Sequence, residues 1–224
     1  GWGQSFGIAP WAFSSPSLAV MTARTKWGRQ IPWGYLFLGF CALIVQLAPA
    51  WREVLIYDRS ALQSGEGWRV WTGHLVHFGW PHFLVDTGLF LILGWMLERP
   101  HRKFSYWSFV FMPPFIVAAI YLFDPSMQRY AGLSALNLGL LLFLALQGWQ
   151  RNWRDWFWPA VLLIYVGEVI FEIMSGGSGG GMIKFDDANV KVATSAHVAS
   201  AVYAVIAWAV LRRFPAKTPS PART

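Results

Sequence analysis

Seven polar side chains stand within or at the edges of long apolar stretches of this chain: His82, Asp86, Ser134, Asn137, Glu168, Glu172 and His197. His74 and His77 lie just ahead of the first of them. Polar groups at membrane depth are expensive, so each reads first as a candidate for function. Ser134 lies in YAGLSALNLG and His197 in TSAHVASAVYA. A serine hydroxyl attacks a carbonyl only when a base within about 3 Å takes its proton. The residues around both are small: Gly132, Ala135 and Gly139 beside the serine, and Ser200, Ala201 and Ala204 on the histidine's side of its helix. Small faces let two membrane helices approach closely, as a serine–histidine pair requires. The plainer alternative is a serine bonded to its own backbone and a histidine in an ordinary polar contact, and the residues alone leave both open. His82 and Asp86, at i and i+4 in GHLVHFGWPHFLVD, share one helix face and suit the stabilisation of a developing oxyanion.

The other polar candidates are blander. Glu168 and Glu172, one turn apart, either line an aqueous cavity or make an interhelical hydrogen bond. Asn137 reads as interhelical glue. His74, His77 and His82 lack a His-Glu-x-x-His signature, and Cys41 is the only cysteine. Neither a metal nor a cofactor is expected.

The elements that must carry these residues are membrane helices. Of the 224 residues, 55% are hydrophobic and 13% charged, against about 25% charged in soluble domains. Six apolar stretches, roughly 33–50, 80–97, 106–123, 133–149, 157–174 and 196–211, reach or approach the ~20 residues needed to span a bilayer. The predicted fold class is therefore an all-α membrane protein with six transmembrane helices. Tryptophans cluster near the ends of these stretches, at the headgroup level that indoles prefer. Pro81 fits a first helical turn, and Pro113 and Pro114 should kink the third span.

The net charge of +7 does not point to nucleic acid, because the basic residues sit in short clusters between apolar stretches. With the N-terminus inside, 12 of the 18 Lys and Arg fall on the cytoplasmic side, which predicts that both termini are cytoplasmic. The expected division is a cytoplasmic or interfacial segment over 1–32, a membrane domain over 33–212 and a tail over 213–224. Residues 1–20 lack the pattern of a cleaved signal peptide and read as a leader, an interfacial segment or an expression artefact. Two external segments are long: 51–79 holds an amphipathic stretch, and 175–195 contains SGGSGGG, a hinge or a spacer.

The segment WRVWTGHLVHFGWPHFLVD resembles the first loop and second helix of rhomboid intramembrane serine proteases, with Trp68 and Arg69, then His77, then His82 four residues before Asp86. GLSA resembles the family's Gly-x-Ser-Gly nucleophile motif, and AHVASAVYA resembles the helix bearing its base. Within the family, the TGHLVH stretch, the compact six-helix core and the acidic fifth helix are most similar to rhombosortases. The resemblance implies a six-helix rhomboid-like bundle in a bacterial inner membrane, contacting lipids and cleaving a transmembrane or C-terminally anchored protein, by way of a Gly-Gly anchor in rhombosortases. It implies Ser134 as nucleophile, His197 as general base and then acid, and His82 with the Ser134 backbone N–H as oxyanion hole, beside Gly132. Two positions depart from the family: its oxyanion asparagine is Asp86 here, expected neutral so that it donates, and its glycine after the nucleophile is Ala135. These departures motivate an alternative, a rhomboid-like pseudoenzyme serving as subunit or assembly factor of a larger membrane complex.

Overall fold

The computed structural model describes residues 31–98, 100–174 and 193–213. Residues 1–30, the SGGSGGG segment and the tail beyond 213 lie outside them, as do the side chains of Glu168 and Glu172. The described chain is almost entirely helical. Its long helices are α1 (Trp33–Leu47), α5 (Trp80–Leu97), α6 (Arg102–Phe123), α7 (Ser134–Arg151), α8 (Phe157–Met174) and α9 (Thr194–Arg213). Between α1 and α5 lie α2 (Pro49–Leu55), α3 (Arg59–Gln63) and α4 (Arg69–Thr72), the last running into a 3-10 turn over Gly73–Leu75. Helices α5, α6 and α9 are each long and apolar enough to cross a membrane. Helices α1 and α2 would make a fourth crossing if taken as one element, but they meet at 115°.

The bend ends the first long helix at Leu47, inside the expected 33–50 stretch, and Pro49 explains it. A proline has no amide to continue the ladder and pushes the preceding residue out of helical conformation. Ala48 accordingly sits at φ −120°, ψ 85°, and Pro49 opens α2. Pro113 and Pro114, by contrast, lie inside one continuous α6. Pro114 leaves the Val110 carbonyl without its helical donor. The Trp71 indole N–H, from α4, supplies one at 3.0 Å. A membrane helix tolerates an internal proline when a neighbour satisfies the freed group in this way.

The connection 48–79 is thus a folded platform tied down by polar groups. Strand β1 (Tyr57–Asp58) pairs antiparallel with β2 (Arg129–Tyr130), just ahead of α7. Buried Arg59 donates to the Tyr121 carbonyl at 2.7 and 3.0 Å, placing a cation on the C-terminal end of α6 where the helix dipole favours it. Buried Arg69 reaches the Glu53 and Ile56 carbonyls at 2.9 and 2.6 Å and pairs with Glu66 at 2.7 Å. The core lies among α1, α5, α6, α7 and α9, around Tyr35, Phe90, Met112, Ile116, Leu140 and Phe143. Large apolar side chains such as Phe40, Leu84, Ile92, Leu122, Leu163 and Ile206 face outward. Replacing Trp71 with Phe keeps the ring and removes the indole donor. The expected loss is about 1 kcal/mol of stability, read as an earlier midpoint in detergent unfolding.

Candidate active site

Ser134 begins α7, and the turn before it explains its position. Gly132 has φ +112°, a left-handed conformation that side-chain-bearing residues rarely adopt. Its Cα also presses on α5: an added Cβ would lie 2.8 Å from His82 Nε2 and 3.1 Å from Asp86 Oδ2. The chain then turns into the helix, leaving the Ser134 side chain half-buried. Further along, an added Cβ at Gly139 would lie 2.7 Å from Met112 Sδ and 3.1 Å from the Ser200 carbonyl of α9. Ser200 and Ala204 are fully buried on the α9 side of this contact. The two backbones therefore run close enough for His197 Nε2 to reach Ser134 Oγ at 3.3 Å. The Ala135 methyl, fully buried, packs into the hydrophobic core.

His82 and Asp86, one turn apart on α5, are joined at 3.0 Å between Nε2 and Oδ2. The backbone N–H of Phe78 donates to His82 Nδ1 at 3.3 Å. Asp86 Oδ2 also accepts the Leu133 backbone N–H at 3.0 Å, and His77 Nε2 lies 3.6 Å away. The Asp86 oxygen facing the nucleophile turn is thus an acceptor for the Leu133 N–H. One helical turn further along, Asn137 Nδ2 donates to the Asp86 carbonyl at 2.9 Å, the interhelical bond anticipated for it.

Two residues contact the site that sequence reading did not single out. Tyr130 donates to the Gly132 carbonyl at 3.3 Å and lies 3.4 Å from His74 Nδ1. Tyr165, on α8, donates to the Ser134 carbonyl at 3.2 Å. Tyr130 adjoins the GLSA motif and could have been marked for that reason. Tyr165 carries no such signal, because 31 residues separate it from its partner. Among the described residues no group of three or more His, Cys, Asp and Glu side chains is arranged to hold a metal ion.

The two platform histidines are held neutral. Burial lowers the pKa of His74 to about 4. For His77 burial again dominates, partly opposed by Asp86 and aided by His82, and the result is also about 4. With folded values near 4 and an ordinary value of 6.5, the unfolded chain binds protons first as the pH falls. Their stabilising effect is complete above about pH 6.5 and is lost as the pH falls through about 4. The unfolding midpoint in detergent should therefore fall across that window, and less steeply in a His77→Phe variant; a flat profile would contradict this. A second expectation concerns Gly132→Ala, which combines a left-handed backbone with overlap against His82. It should lower stability by at least about 2 kcal/mol, measurable as a loss of folded protein in the same unfolding assay.

The Rhomboid domain model matches residues 64–214, roughly two thirds of the chain. A search of curated proteins gives no match. The matched region runs from just before α4 through the end of α9 and includes Ser134, His197, His82, Asp86, Gly132 and Ala135. Together with helices long and apolar enough to cross a bilayer, this makes the chain an integral membrane protein belonging to the rhomboid family, a family of intramembrane serine proteases.

Proposed function

We propose that this protein is an intramembrane serine protease working through a Ser134–His197 dyad, with the rhombosortase type as its nearest subfamily. The observation that carries this reading is the 3.3 Å separation of Ser134 Oγ and His197 Nε2 across two closely packed helices. On it, the six long helices each cross the bilayer within a membrane domain of about 33–212, both termini are cytoplasmic and the membrane is a bacterial inner membrane. The substrate is a membrane-anchored protein segment, by resemblance one with a C-terminal Gly-Gly anchor.

In the reaction, His197 Nε2 removes the Ser134 hydroxyl proton as Oγ bonds to the scissile carbonyl carbon. The carbonyl oxygen becomes an oxyanion beside the first turn of α7. There the Ser134 backbone N–H and the positive end of the helix dipole favour negative charge. As the intermediate collapses, the His197 imidazolium gives its proton to the departing amine, leaving an ester on Ser134. Water, deprotonated by His197, then attacks that ester, and the serine leaves with its proton restored. The departures at Asp86 and Ala135 leave this pairing intact, Asp86 Oδ2 being turned toward N–H donors and the Ala135 methyl toward the core.

The test is labelling of the protein in detergent by a fluorophosphonate probe, together with cleavage of a Gly-Gly-anchored reporter in proteoliposomes. Ser134→Ala should abolish both, while His197→Ala should reduce both by several orders of magnitude. Cleavage by the Ser134→Ala variant at the unmodified rate would rule the mechanism out. A folded parent protein that neither labels nor cleaves would return the chain to the non-catalytic subunit reading.

A further inference from the structure

Asp86 stands where the rhomboid family carries an oxyanion asparagine, and the bonds around it give the side chain a different task from donating to an oxyanion. The Phe78 N–H points at His82 Nδ1 from 3.3 Å, so that nitrogen carries the lone pair. A neutral imidazole has one N–H, which therefore resides on Nε2, the nitrogen 3.0 Å from Asp86 Oδ2. The same oxygen takes the Leu133 N–H at 3.0 Å. Two donors thus converge on a single carboxylate oxygen, one from α5 and one from the turn immediately before the nucleophile. Both Asp86 and His82 are almost wholly buried, which strengthens such bonds and excludes competing water. The packing of Gly132 against His82 Nε2 and Asp86 Oδ2 keeps the three groups in register.

We infer that Asp86 is a positioning residue. It fixes His82 as the Nε2–H tautomer by taking that N–H at Oδ2, and it anchors Leu133 so that Ser134 enters α7 in the correct place. It acts on the site as an acceptor that holds the His82 ring and the turn before Ser134 against one oxygen. This rests on the serine protease reading for its consequence in catalysis, but the tautomer and the anchoring are properties of the folded protein alone. An asparagine can accept the same two bonds through its side-chain oxygen, whereas a leucine of similar size accepts neither.

The experiment uses full-length protein labelled with nitrogen-15 at histidine, with His82→Asn as assignment control, and compares the parent with Asp86→Leu and Asp86→Asn. The ring-nitrogen resonances of His82 report the tautomer, and probe labelling of Ser134 and reporter cleavage report reactivity. The expected result is a single Nε2–H form in the parent, a mixed or reversed tautomer in Asp86→Leu, and the parental form in Asp86→Asn. Ser134 labelling should fall roughly ten- to a hundredfold in Asp86→Leu, through kcat with little change in KM, and recover in Asp86→Asn. An Nδ1–H or doubly protonated His82 in the parent overturns the inference. So does an Asp86→Leu protein with the parental tautomer and labelling within about twofold of the parent. If Asp86→Leu does not fold, the parent and Asp86→Asn spectra still decide. A parent that shows the Nε2–H form but never labels sinks the protease reading and leaves the positioning role standing.

Discussion

The serine and histidine stand 3.3 Å apart on two helices whose backbones approach closely. Gly139 against the Ser200 carbonyl, with Ser200 and Ala204 buried opposite, is where they do so. In a bilayer no difference in hydrophobicity drives helices together, since lipid tails are as apolar as leucine. Close backbone contact and dispersion have to do it instead. The small residues are therefore the condition for the site, and the surrounding elements are arranged so as not to disturb the contact. The second such constraint is Gly132, where the left-handed turn and the pressure on α5 bring the His82–Asp86 pair to the start of α7.

The platform between α1 and α5 follows from a different requirement. Backbone groups that leave the helical ladder within or near the hydrocarbon must find partners in the protein. The Val110 carbonyl freed by Pro114 takes the Trp71 N–H, the end of α6 takes Arg59, and the end of α2 takes Arg69. Each of these bonds also fixes the platform against the helices. Polar satisfaction and positioning of His74, His77 and Gly73 beside the site are in this way the same set of contacts. The Gly73 carbonyl, which accepts the Gly132 N–H at 3.4 Å, closes the connection.

Much of this was legible in the residues. Apolar length alone located the six long helices, with ends within a few residues. The Trp80–Leu97 and Phe157–Met174 helices coincide with the stretches read from sequence. The shortened first helix was also written in the sequence, at Pro49, although length counting passes over a single proline. The pairing of Ser134 with His197 could be suspected from small neighbours and matching depth, and the structure brings the two together. What could not be read was direction. That Asp86 Oδ2 accepts from Leu133 depends on where the Leu133 N–H points, and that follows from the turn at Gly132 rather than from any spacing. The Tyr165, Trp71 and Arg59 contacts were hidden for a related reason, since each joins residues 31 to 62 positions apart.

The same sequence separation has a consequence for biogenesis. Ser134 and His197 are 63 residues apart, with α8 between them. A ribosome delivers the nucleophile well before the base, and a chain inserted only as far as α8 holds a serine hydroxyl of ordinary reactivity. On the protease reading, α9 is the helix that arms the enzyme. Activity then arrives only once α9 has inserted, and a chain stalled before it is inert toward the proteins threading past it.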